Sequence, residues 1–76
     1  MANTRSAQRP ALATEIRVEM ARHGYTQRQL AEALGLTQAT VSGRMTGKTD
    51  FTVSELRHIS SWLGVPVSRL LGEPAA

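Results

Sequence analysis

TQRQLAEALGLTQATVSGRMTG, residues 26–47, reads as two short helices joined by a tight turn. Thr26 is placed to N-cap the first helix, and Gln29 three residues on completes a capping-box pattern. Leu30 and Leu34 stand one turn apart and share a buried face. Ala31 beside them is small enough to let a partner helix approach closely. Gly35 falls where a helix ends in a left-handed residue, a conformation that costs glycine little. Leu36 then plugs the corner, Thr37 caps a second helix, and Val41 and Met45 repeat the one-turn spacing. That second helix is poor in bulky charged side chains. The pattern is the sequence form of a helix-turn-helix, whose second helix is presented to a DNA groove.

The surrounding chain limits what else the protein can be. Its 76 residues make room for one small domain. With no cysteine, neither a disulfide nor a thiolate zinc site can hold it together. Stability must come from helix packing, and at this size it will be modest. No apolar run approaches the ~20 residues of a membrane span, and the opening MANTRSAQRP lacks the apolar core of a signal peptide. The expectation is a protein of the bacterial cytoplasm or nucleoid, or of the host cytoplasm if phage-encoded. The net charge of +3 is moderate, but its distribution is uneven. Arg5 and Arg9 have no acid near them, whereas Glu15 and Glu19 balance Arg17 and Arg22. A basic arm of this kind is drawn to phosphates without regard to sequence; a solubilising tail is the plainer use, and both stay open.

Read in order, residues 1–9 form a flexible basic arm, residues 10–72 the domain and residues 73–76 a tail. Pro10 suits the first turn of a helix. Leu12, Ile16 and Met20 then recur on one face up to Gly24, with Glu15, Glu19 and Arg22 on the wetter side. Tyr25 precedes the Thr26 cap and is placed to staple against Leu30. After Met45 comes a polar turn, and Thr52 with Glu55 spells a second capping box. The helix it opens carries Leu56, Ile59, Ser60 and Leu63 on one face and ends at Gly64. Pro66 starts a last short helix with Leu70 and Leu71 inward. The predicted class is all-α, a compact bundle of about five short helices containing the helix-turn-helix.

Catalysis finds no support. There is no nucleophile–base pattern, no glycine-rich phosphate loop and no pair of carboxylates in an apolar setting. His23 and His58 stand without cysteine or a second histidine at ligand spacing, so no metal is implied. No cofactor or small-molecule ligand is expected.

The words Thr26-Gln27, Leu30-Ala31, Leu34-Gly35-Leu36-Thr37-Gln38, Val41 and Gly47-Lys48 together resemble the lambda-repressor-like helix-turn-helix domains of Cro and XRE type. Glu55-Leu56, Leu63-Gly64-Val65 and Leu70-Leu71 match the fourth and fifth helices of that family, so the resemblance runs from Ile16 to Gly72. The segment Arg44–Phe51 looks most like small regulators of actinobacteria and their phages. The resemblance implies a sequence-specific transcriptional regulator, a repressor of the phage-immunity or Cro-like kind, with a recognition helix over about residues 38–46.

It also implies roles. Gln38 reads an adenine, whose N6 and N7 edge a glutamine amide can bond twice. Ala39 and Thr40 offer methyl groups to thymine on the same face. Gln27 falls at a backbone phosphate. Lys48, Thr49 and the helix start at Thr52 fall at a second, where the N-terminal dipole favours an anion. Beside the resemblance, Arg28 points outward near Gln27 as a weaker phosphate candidate. Short Ser42 and Gly43 are backbone candidates, Gly43 either letting the helix sit close to DNA or being merely tolerated. Arg44 departs from the family, which usually has an aliphatic residue there. It is expected to reach a phosphate or guanine edge, with a surface salt bridge to Asp50 as the rival, while Met45 takes over the packing. Arg57 and Arg69 are expected only to solubilise. Partners would be double-stranded operator DNA and a second copy of the chain, with Trp62, Val67 and Leu71 as candidate dimer contacts. A monomeric reader is one alternative. An antitoxin-type interaction module with secondary DNA binding is another.

Overall fold

The computed structural model describes the backbone of residues 4–72 and the side chains of residues 12–72. Its elements, in order, are α1 (Thr4–His23), α2 (Gln27–Leu34), α3 (Gln38–Met45), α4 (Val53–Leu63) and α5 (Val67–Leu70). No strand occurs among the described residues.

The helix ends follow from local chemistry. Thr26 and Thr52 both form complete capping boxes, with Gln29 and Glu55 reaching back to the N-cap backbone. Thr37 caps α3 by accepting from the Thr40 N–H at 3.1 Å. Gly35 ends α2 at φ 69°, and its left-handed backbone lets Leu36 N–H donate to the Ala31 carbonyl at 2.9 Å. This turn swings α3 across α2.

One buried cluster joins all five helices. It comprises Ala13, Ile16 and Met20 of α1, Leu30 and Ala31 of α2, Val41 and Met45 of α3, Ile59 and Leu63 of α4, and Leu70 of α5. Leu12, Leu34, Leu36 and Leu56 pack against it, half-buried. An eight-residue helix is too short to hold its own shape in water, so α3 depends on this backing.

Four local expectations are corrected. Helix α1 begins at Thr4 rather than Pro10, so residues 4–9 are helical and Pro10 lies within the helix. Proline's fixed φ is compatible with this, at the cost of one backbone hydrogen bond. The side chains of Arg5 and Arg9 lie outside the described residues, as do residues 1–3 and the tail 73–76. Leu71 is 43% exposed rather than inward, because α5 ends at Leu70 and only that residue points into the core. Glu19, expected on the wetter side, is only 4% exposed. Its Oε2 lies 3.6 Å from Arg69 Nη1 and 3.9 Å from Arg22 Nη1. Arg69 therefore does more than solubilise: it pairs α5 with a buried carboxylate of α1, which would be costly to leave alone. Tyr25 packs against the core as expected, but its ring also lies stacked between His23 and Trp62, at centroid distances of 5.2 and 4.3 Å.

Candidate DNA interface

Helix α3 divides cleanly into two faces. Val41 and Met45 are buried in the core, whereas Gln38, Ala39 and Ser42 are exposed and Thr40 is half-buried. The exposed face combines one amide with small hydroxyl and methyl groups. Thr40 is less available than the sequence suggests, since its hydroxyl oxygen accepts from Thr37 Oγ1 at 3.0 Å. An added Cβ at Gly43 would meet nothing within 4 Å, and its φ is not positive. Neither packing nor backbone geometry requires glycine there.

The first helix of the motif contributes Gln27 and Arg28, both exposed at its N-terminus. On the other side of α3, Lys48 and Thr49 are exposed in the loop, and Thr52 is exposed at the start of α4. The loop is folded back on α3: Lys48 N–H donates to the Gly43 carbonyl at 2.9 Å and Thr49 N–H to the same oxygen at 3.3 Å. Beside Thr52, Val53 is 68% exposed, an apolar side chain in an otherwise polar strip.

Arg44 is the site residue that the structure places differently. Its Nε donates to Glu55 Oε1 at 2.9 Å and its Nη2 to Glu55 Oε2 at 3.0 Å, a two-pronged pairing. The two side chains are only 16% and 15% exposed. The guanidinium is thus engaged by Glu55 of α4, a partner that the sequence reading, with its phosphate, guanine edge or Asp50, did not name. The cause is a carboxylate already held in place by the capping box: Glu55 Oε1 also accepts from Thr52 N–H at 3.0 Å. The Arg44 hydrogen bonds hold the Glu55 carboxyl below its ordinary 4.5, helped by the Thr52 N–H and opposed by partial burial. The same pairing raises Arg44 further above its already high value. In the sequence Glu55 is legible only as a cap, because its partner Arg44 lies eleven positions away, beyond the reach of local pattern.

Of the candidate dimer contacts, Trp62 lies stacked on Tyr25 at an interplanar angle of 15°, Val67 is half-buried and Leu71 is exposed. Among the described residues, no group of three histidine, cysteine, aspartate or glutamate side chains could hold a metal, and no helix is long and apolar enough to cross a membrane.

Two helices at a glycine turn, the second backed by the core and open along one face, define a helix-turn-helix protein. The profile of the helix-turn-helix family matches residues 15–70. The fold is similar to the crystal structure of a hypothetical transcription factor NHTF from Neisseria, with a TM-score of 0.78 and 28% identity over 84% of this chain and 72% of that one. A comparison with curated proteins found no significant sequence match. The chain belongs to the Cro/C1-type helix-turn-helix family and is a DNA-binding transcription regulator.

Proposed function

We propose that the protein is a sequence-specific repressor that occupies an operator by laying α3 in the major groove. The observation that carries this reading is the exposed face of α3, where Gln38 stands at the helix start among residues too small to hold DNA away. Gln38 reads an adenine edge, and the methyl groups of Ala39 and Thr40 meet thymine methyls beside it. The open space at Gly43 lets the helix sit close to the duplex. Gln27 and Arg28 on one flank, with Lys48, Thr49 and the N-terminus of α4 on the other, contact phosphates and set the register. Ser42 belongs with the backbone contacts. The charge of Arg5 and Arg9 adds sequence-independent attraction. Two copies bind half-sites about one helical turn, ~34 Å, apart, with exposed Leu71 and its neighbour Val67 as the dimer patch. A cytoplasmic or nucleoid place of action accompanies this role.

The test is selection of duplexes from a random library, followed by mobility shifts on the selected duplex across salt concentrations. A specific repressor loses affinity steeply with salt yet keeps its preference for the selected duplex. Gln38→Ala should cost ~1–3 kcal/mol and relax selection at one base pair, whereas Lys48→Ala should weaken all duplexes alike. Enrichment of no sequence would overturn the reading.

A further inference from the structure

Helices α3 and α4 both lean on α1 and α2, yet no Cα of α3 comes within 8 Å of one in α4. Besides the loop residues 46–52 and the shared core, the side chain of Arg44 spans from α3 to α4. That side chain closes the gap with two hydrogen bonds to one carboxylate, both partners largely withdrawn from solvent. The carboxylate is itself fixed, because Glu55 closes the capping box at Thr52. The last turn of α3 and the first turn of α4 are therefore joined by one rigid fork-to-carboxylate contact, with a planar geometry that a lysine would not reproduce.

Resting on the DNA-binding reading above, we propose that the Arg44–Glu55 pair is a positioning device that sets the angle between α3 and the α4 N-terminus, and so determines specificity without touching a base. Base reading at Gln38 and phosphate contact at Lys48 to Thr52 lie on opposite sides of this joint. Both can be satisfied on one duplex only if the joint holds its angle. For Arg44 to reach DNA by itself, it would have to leave the largely buried Glu55 carboxylate without its charge partner.

The proposal reverses the sign expected from simple charge. Glu55 is a carboxylate at the edge of a DNA-facing surface, so neutralising it should strengthen attraction to any duplex. Glu55→Gln is also a mild change for the cap, since Gln29 already fills that place in the α2 capping box of this chain. If the pair sets the angle, Glu55→Gln lowers affinity for the selected duplex about tenfold, while binding to poly(dI-dC) is unchanged or stronger. Arg44→Lys falls between this variant and the unaltered chain. Arg44→Met lowers the preference about as much as Glu55→Gln does. Residual dipolar couplings of the free protein report the α3–α4 angle directly, and they should differ between the unaltered chain and Glu55→Gln while each helix keeps its internal couplings.

Tighter or equal binding of Glu55→Gln to the selected duplex, with couplings unchanged, overturns the proposal. So does a loss in Arg44→Met far larger than that in Glu55→Gln, which would mark Arg44 as a direct contact. If the unaltered chain prefers no duplex over poly(dI-dC), the repressor reading fails by itself. The dipolar couplings then decide alone whether the pair holds the angle.

Discussion

Replacing Val41 by alanine separates the two faces of α3, because Val41 is fully buried and its neighbours Ala39 and Ser42 are exposed. The change removes two methyl groups from the core. At ~0.8 kcal/mol for each buried carbon the transfer loss is about 1.6 kcal/mol, and the cavity left behind brings the total to about 2–2.5 kcal/mol. A chain of this length holds on the order of 4–11 kcal/mol of stability, so Val41→Ala stays folded at room temperature. Its midpoint should fall by roughly 8–20 °C, using ~4–8 °C for each kcal/mol in a domain of this size. Thermal and urea denaturation followed by circular dichroism measure this, with the urea slope unchanged if the native and unfolded states keep their compactness. Gln38→Ala, on the opposite face, should shift the curve by less than about 0.5 kcal/mol. At low temperature, where both variants are folded, Val41→Ala should keep most of its DNA affinity and Gln38→Ala should lose it. A loss below ~0.5 kcal/mol for Val41→Ala, or a stability loss in Gln38→Ala as large as that of Val41→Ala, would refute the assignment of faces.

Two glycines and one carboxylate supply further tests. Gly35→Ala should destabilise by about 1–2 kcal/mol, through its left-handed φ of 69° and not through collision, since an added Cβ meets nothing within 4 Å. Gly43→Ala should do the opposite: its φ is not positive and the space is open, so urea titration should show a gain of roughly 0.5–1 kcal/mol. If close approach to the duplex uses that space, the same variant should bind the selected DNA more weakly. Glu55 has a folded-state pKa below its ordinary 4.5, so its contribution is fully present above that value. It is lost as pH falls through the lower folded pKa, because the unfolded chain then takes up the proton first. Stability curves of the unaltered protein and Glu55→Gln, measured from neutral pH downwards, should converge only below 4.5. Parallel curves through that range would refute the pairing.

The starts of α2, α3 and α4 and the turn after α2 were written in the chain because each depends on residues three or four positions apart. No such local signal marked the start of α1 at Thr4. Thr26 with Gln29, Thr52 with Glu55, and Gly35 before Leu36-Thr37 needed no distant partner to act, and the structure uses all of them. The same short range made the motif legible, along with the buried spacing of Leu30, Val41, Met45 and Ile59. What the sequence could not settle were partners brought together by packing. Arg44 has donors that many acids could accept, and only the approach of α4 to the end of α3 selects Glu55. Glu19 looks solvent-facing on a helical wheel, but α5 covers it and supplies Arg69. Leu70 and Leu71 are adjacent and equally apolar, and the end of α5 decides that only the first enters the core. Local hydrogen bonding thus determined where α2, α3 and α4 begin. Tertiary packing decided which charges face each other, and that gave Arg44 its partner in Glu55.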